Sequence, residues 1–322
     1  MSTTRDFAPA ADARRLIPAR ARALLEAVGR TPLIPLELEG LPPSPCRLYA
    51  KLESVNPGGS VKDRPVASML EGALERGDLG AGRRLLDSSS GNAGISYAML
   101  GAALGVPVTM VVPGNASQER LDRIAAQGAE LITTDPMEGY DEALREAKRL
   151  AEQEPDRYWY CNQYANPDNW RAHYRGTAGE ILDQLNSLGA PVPDALVAGV
   201  GTGGTLTGVG RRLREANPKL HIVSVVPELF PGIEGLKPLG HPGDIVPEIL
   251  DESLIDERIP VTIEQALTTC HQLVRQGLFV GPSSGAYVFA ARALVTRAEH
   301  RCIVTVLSDT GERYNSTGMW RQ

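Results

Sequence analysis

Short apolar runs alternate with amphipathic stretches along most of this chain. The runs predict strands at 47–52, 84–88, 108–112, 130–134, 195–199, 221–226 and 302–307. Between them, apolar residues recur three or four positions apart, which is the helical period. That period predicts helices near 65–78, 92–104, 117–127, 139–153, 175–188, 205–215, 264–277 and 284–297. A further amphipathic helix is expected over 19–28. Strands and helices of these lengths in alternation imply an α/β fold, with parallel sheets covered on both faces. No internal repeat or low-complexity tract interrupts the pattern. The Pro- and Gly-rich stretch 227–247 reads as a surface loop or lid.

At 322 residues the chain is long enough for two domains. A net charge of −6 argues against a general nucleic-acid binder, which needs clustered Lys and Arg. No apolar run approaches the roughly 20 residues that span a bilayer. The four cysteines, Cys46, Cys161, Cys270 and Cys302, show no CxxC spacing, so neither a zinc site nor a disulfide scaffold is expected. No histidine stands at ligand spacing from another His or from a Cys, and no metal is expected. His173 and Cys161 are read as packing or capping residues, and His221, His241, His271 and His300 as surface or strand-end residues. Residues 11–30 are rich in Ala and Arg, like a presequence, but Asp6, Asp12 and Glu26 count against a cleaved leader. A reducing cytoplasm is the expected setting.

Candidate chemistry lies in four places. The stretch Lys51-Leu-Glu-Ser-Val-Asn-Pro-Gly-Gly-Ser-Val-Lys62-Asp-Arg-Pro65 sets Lys62 on a glycine-rich turn at the mouth of a helix. A helix N-terminus disfavours an ammonium, pushing a lysine toward the neutral amine that condenses with an aldehyde. The loop Asp87-Ser-Ser-Ser90-Gly91-Asn92-Ala93-Gly94 opens a helix, where exposed N–H groups suit a carboxylate. Gly199-Val-Gly201-Thr202-Gly203-Gly204-Thr205 follows an apolar strand and suits a phosphate. It holds a formal GxGxxG (Gly199, Gly201, Gly204), so a dinucleotide and an NAD-dependent oxidoreductase remain a remote alternative. The last is Ser308-Asp309-Thr310-Gly311, at the end of the final strand, where Asp309 can face a pocket. A lysine, a carboxylate-binding helix mouth, a phosphate cradle and a strand-end acid together suit pyridoxal 5′-phosphate (PLP).

With these motifs in place, from Val28-Gly-Arg-Thr-Pro-Leu33 to Ser316-Thr317, the chain resembles the cysteine synthase family. These are fold-type II PLP enzymes, with cystathionine β-synthase and the tryptophan synthase β chain among their relatives. The resemblance implies two α/β domains, each with a mostly parallel twisted sheet flanked by helices. The smaller would be 52–160, and the larger, phosphate-binding one 1–51 plus 161–322. It implies that Lys62 is the Schiff-base lysine and general base. Asn92 would bond the cofactor's ring hydroxyl, Gly201, Thr202, Gly203, Gly204 and Thr205 would hold its phosphate, and Asp309 would face its ring nitrogen. Ser89, Ser90, Gly91, Ala93 and Gln163 fall where the family binds the substrate carboxylate. Many members carry serine at the position of Asp309, whereas B-type cysteine synthases carry aspartate. An ionised carboxylate there favours a protonated ring nitrogen, the stronger electron sink. The chain also ends soon after Tyr314, with no regulatory domain of the cystathionine β-synthase kind expected.

The implied activity is a β-replacement on an O-activated L-serine with a sulfur nucleophile, giving L-cysteine. No arginine lies between Val225 and Glu234, where relatives that use phosphoserine carry one, so O-acetyl-L-serine is favoured over O-phosphoserine. Ala93 stands where the family usually has threonine. Some 2,3-diaminopropionate synthases also lack that threonine, and the segment 162–174 is similar to theirs. An amine nucleophile is therefore the close alternative. The expected partners are the amino acid, a sulfur donor (sulfide, thiosulfate or a sulfur-carrier protein) and a second copy of the chain in a homodimer.

Overall fold

The computed structural model describes residues 17–41, 44–79, 82–239 and 245–321. Of the positions singled out above, His241, Asp6 and Asp12 lie outside those residues. In chain order the described elements are α1 (Ala19–Ala27), β1 (Leu33–Leu36), β2 (Arg47–Leu52), α2 (Asp63–Arg76), β3 (Arg84–Ser88), α3 (Asn92–Leu104), β4 (Val108–Pro113), α4 (Gln118–Ala126), β5 (Glu130–Thr134), α5 (Gly139–Gln153), β6 (Tyr158–Tyr160), α6 (Pro167–Ala172), α7 (Ala178–Ser187), β7 (Ala195–Gly199), α8 (Gly204–Ala216), β8 (His221–Pro227), β9 (Glu257–Val261), α9 (Ile263–Arg275), α10 (Pro282–Arg297) and β10 (Cys302–Leu307).

The strands form two sheets. One has six strands in the order β1-β2-β10-β7-β8-β9, and the other four in the order β5-β4-β3-β6. Every pairing is parallel except β1 with β2. Alternate side chains of the inner strands enter opposite cores, as the pleat requires. On β7, Ala195 and Val197 pack toward α9 and α10, while Leu196 packs toward α7 and α8. In the smaller sheet Leu85 faces α2, α3 and α4, and Leu86 faces α5. Being buried on both sides, these strands read as continuous apolar runs and were visible in the sequence.

Three strands were not. Both β1 (Leu-Ile-Pro-Leu) and β9 (Glu-Arg-Ile-Pro-Val) contain a proline, which reads as a strand breaker. They are the two edges of the larger sheet, where a missing N–H need not interrupt a ladder. β6 is only three residues long. A short helix was also missed: α6 is started by Pro167 at its first turn and by Asn166, whose side chain accepts from Asp168 N–H. A π-turn over His173–Thr177 joins it to α7. Of the stretch 227–247, the described part beyond β8 is loop, and Leu229 and Glu234 to Leu239 run along the cleft between the sheets.

A buried network of charge ties the larger sheet to α2 and α7. Arg64 donates from Nε to Glu53 Oε2 at 2.7 Å and from Nη1 and Nη2 to both oxygens of Glu180 at 2.7 Å. Lys51 Nζ lies 2.7 Å from Glu180 Oε2. Burial opposes ionisation of Glu180, yet Arg64 and Lys51 outweigh it and hold the carboxyl down at about 2. Two carboxylates and two cations compensate one another here, so removing one member exposes the rest. Arg64→Met should therefore cost about 3–5 kcal/mol in urea unfolding, because Glu53 is left buried and uncompensated. A loss below about 1 kcal/mol, the size of a surface pair, would contradict that account.

Candidate active site

The site loops follow the carboxyl ends of parallel strands, where open α/β sheets bind ligands. The first precedes α2. It makes a tight turn closed by Gly59 N–H to Asn56 O at 2.7 Å. Gly58 and Gly59 are both required: a Cβ on Gly58 would stand 2.3 Å from Asp63 Oδ1, and Gly59 has φ +83°. Lys62 sits at the N-cap of α2, which begins at Asp63, two residues before the start expected at Pro65. Its ammonium is disfavoured first by burial, while Asp309 pulls the other way; the net direction is downward from the usual lysine range. The mechanism expected from sequence was the helix terminus, but burial is the larger cause.

Lys62 lines a cleft of about 880 Å³ between the two sheets. Ser89, Ser90, Gly91, Asn92 and Ala93, at the start of α3, line the same cleft, as do Gln163, Gly201 and Thr202. Gly203, Gly204 and Thr205 lie behind this wall. Gly203 has φ +85° and packs on Leu250, and a Cβ on Gly204 would collide with Asn169 Oδ1. A Cβ on Gly201 would come within 2.7 Å of Gly235 O and 3.8 Å of Lys62 Nζ. The backbone of this turn is thus bare toward the lysine.

Asp309 does not line the cleft itself; it is fully buried behind Asn92 and Tyr314, which do. Asn92 Nδ2 and Tyr314 OH each donate to its Oδ2 at 2.7 Å. Its Oδ1 is buried without a hydrogen-bond partner among the described residues. A buried carboxylate oxygen left in this state is costly and calls for a donor. The site thus offers an amine for an aldehyde, a bare glycine turn at the N-terminus of α8 for a phosphate, and an orphaned acceptor for a ring N–H. Those are the demands of PLP, and the residues present fit it.

Several contributors were not identified from sequence. Asn169 donates to Gln163 O at 2.7 Å and to Thr202 Oγ1 at 3.2 Å, linking the Gln163 segment to the glycine turn. His173 contacts Thr177 Oγ1 through Nδ1 at 3.0 Å and Thr205 Oγ1 through Nε2 at 3.3 Å. Burial, reinforced by Arg64 and Lys62, pushes His173 well below the usual histidine range, so it is a neutral hydrogen-bonding residue. Arg120 packs over the Tyr314 ring at 5.1 Å and donates to Glu234 Oε2 at 2.7 Å. Arg313 donates to Asn92 Oδ1 and to Gly58 O. The only sequence signal for Asn169 and His173 was their place in the segment 162–174. The partners of the others are more than 100 residues away, beyond any local pattern.

Away from the site, His221 and His300 stack with ring centroids 5.2 Å apart, a pairing in space that sequence spacing did not reveal. The four cysteines are buried and free.

Residues 24–309 match the model of the pyridoxal-phosphate dependent enzyme family. The chain belongs to that family. It is 44% identical over 306 residues to a cysteine synthase of Aquifex aeolicus, covering 92% of this chain and 91% of that one. The solved structure of an O-ureido-L-serine synthase superposes with a TM-score of 0.83 at 36% identity, over 92% of this chain and 94% of the other. That of an O-acetyl serine sulfhydrylase isoform from Entamoeba histolytica gives 0.84 at 31% identity, over 100% and 94%. The family and the architecture of two α/β sheets flanked by helices agree with the resemblance drawn from the motifs, and the dinucleotide alternative falls away.

Gly281 tests the surroundings of Asp309 without replacing a polar side chain. A Cβ there would lie 2.4 Å from Asp309 Oδ1 and 2.4 Å from the Tyr314 ring. Gly281→Ala should displace Asp309 and weaken PLP retention by about tenfold or more, equivalent to roughly 1.4 kcal/mol. Dialysis followed by the visible absorbance of the retained cofactor checks this. Unchanged retention would show that Asp309 does not meet the cofactor.

Proposed function

We propose that the protein is a cysteine synthase that replaces the β-substituent of O-acetyl-L-serine with a sulfur nucleophile. The observation that carries the reading is the half-buried Lys62, its amine facing the bare turn at Gly201 in the same cleft as Ser89 to Ala93 and Gln163. When bound, PLP holds the amino acid through its aldehyde carbon and takes up the electron pair left when the α-proton departs. Lys62 receives that proton at Nζ, and its depressed affinity for protons returns it readily once sulfur has bonded to Cβ. Ser89, Ser90, Gly91, Ala93 and Gln163 bind the substrate carboxylate, using N–H groups at the mouth of α3. Gly201 to Thr205 hold the cofactor phosphate, with Asn169 and His173 fixing Thr202 and Thr205 from behind. Asn92 serves the ring hydroxyl, and Asp309 keeps the ring nitrogen protonated.

The neutral leaving group follows from the charges in the cleft. Arg120 lines the cleft but is already engaged by Glu234 and by Arg313 O, so a dianionic phosphate would meet a carboxylate beside the cation. An acetyl ester has no such conflict. Ala93 offers no hydroxyl, and one solved relative is an O-ureido-L-serine synthase, so the nucleophile is the step to screen. The free, buried cysteines support a reducing compartment and hence the cytoplasm. Among the described residues no helix is long and apolar enough to cross a membrane. We read the working form as a homodimer and leave the sulfur donor among sulfide, thiosulfate and a sulfur-carrier protein.

Holoenzyme supplied with O-acetyl-L-serine and sulfide should release L-cysteine and acetate in equal amounts. Lys62→Ala should fold and lose at least about a thousandfold in turnover. Substantial turnover by that variant would overturn the assignment, and faster turnover with an amine than with sulfide would move the product from cysteine to a diamino acid.

A further inference from the structure

Asp87 is among the buried carboxylates that this mechanism leaves unused. Asp87 is the fourth residue of β3, fully buried, just before the Ser89–Ala93 loop. Its Oδ1 accepts from Ser88 N–H at 2.8 Å. Its Oδ2 accepts from Tyr97 OH at 2.7 Å and from Gln163 N–H at 3.1 Å. Gln163 in turn donates from Nε2 to Ser88 O at 3.0 Å, and Tyr140 OH donates to that same carbonyl at 2.6 Å. The two segments that meet the amino-acid carboxylate leave different strands, β3 and β6. Asp87 is the side chain that binds the backbone of both.

We infer that Asp87 is a positioning residue for the substrate carboxylate, coupling the Ser89–Ala93 loop to Gln163 so that both present their donors to one anion. The inference rests on the proposed roles of that loop and of Gln163. Its chemistry requires the ionised form. A carboxylate can accept all three hydrogen bonds, whereas protonation turns Oδ2 into a donor to Tyr97, whose hydroxyl can turn to Cys161 Sγ at 3.2 Å, and leaves Gln163 N–H without its acceptor. The groups facing Asp87 are Tyr97 on α3, Tyr140 on α5, Tyr160 at the end of β6, and Cys161 and Tyr164 beyond it. All are neutral acids, and none offsets the burial of charge. Burial therefore raises the Asp87 carboxyl to about 6, against the three hydrogen bonds that favour ionisation. The acid is ionised at neutral pH and takes up its proton as the pH falls through about 6, at which point the two segments lose their common anchor.

The test is calorimetric titration of the PLP-loaded protein with L-serine, which carries the same carboxylate but no activated leaving group. If the protonated form does not bind, wild-type affinity should fall about tenfold between pH 7 and pH 5. Asp87→Asn offers one acceptor where two oxygens served three donors. It should bind L-serine about as weakly at pH 7 as wild type does at pH 5, with little further change on acidification. With O-acetyl-L-serine the loss should appear in KM rather than in kcat. Tyr97→Phe leaves the acid in place and removes one donor, so its acid limb should move to higher pH. That variant decides the matter if Asp87→Asn does not fold. Wild-type affinity and pH dependence retained in Asp87→Asn, or an unmoved limb in Tyr97→Phe, would overturn the inference while leaving the proposed reaction intact. A wild-type holoenzyme that binds no L-serine would overturn the carboxylate-site reading and the inference with it.

Discussion

The site depends on a short splice between two distant parts of the chain. Val61 N–H donates to Ser308 O at 2.8 Å, and Ser60 and Asp309 form an isolated antiparallel bridge beside it. This pins the glycine turn that carries Lys62 onto the carboxyl end of β10, a central strand of the larger sheet. Lys62 and Asp309 are brought together by backbone hydrogen bonds rather than by attraction between their side chains. Arg313 tightens the same junction by donating to Gly58 O and to Asn92 Oδ1. Loosening it would expose the amine to water, restore its charge, and separate it from the acid below.

Two different uses of buried charge surround this junction. The group formed by Lys51, Glu53, Arg64 and Glu180 is internally compensated and holds elements together. Lys62, Asp87 and Asp309 are charged or chargeable groups whose surroundings do not satisfy them fully. Burial without full compensation leaves Lys62 and Asp87 able to respond to a ligand or a proton, and Asp309 Oδ1 open to a donor. The contrast separates scaffold from proposed site within a few residues of sequence, since Arg64 is locked in ion pairs and Lys62 lines the cleft.

The sequence made legible whatever depended on local pattern. Strands buried on both faces gave continuous apolar runs, and the helix-opening loops announced themselves through Ser-Ser-Gly-Asn and Gly-Thr-Gly-Gly. Pro35 and Pro260 concealed two edge strands, because proline breaks an inner ladder but not an outer one. Asp309 was placed correctly at a strand end, but its links to Asn92 and Tyr314 needed the fold. Arg120 carried no signal, and Asp87 and Asn169 only their place in the segments 87–94 and 162–174, since an acid after two leucines or an arginine on an exposed-looking helix gains meaning only from residues such as Gln163 and Glu234 folded against it.

The central claim is that the Lys62 amine and the turn at Gly201 hold one cofactor that processes an activated serine. The most direct measurement is the visible spectrum of the PLP-loaded protein, before and after O-acetyl-L-serine and again after sulfide. The account predicts a yellow protein whose band shifts to longer wavelength with O-acetyl-L-serine and returns when sulfide is added. A protein that stays colourless after incubation with PLP, or a yellow one whose spectrum ignores every activated serine, would contradict it.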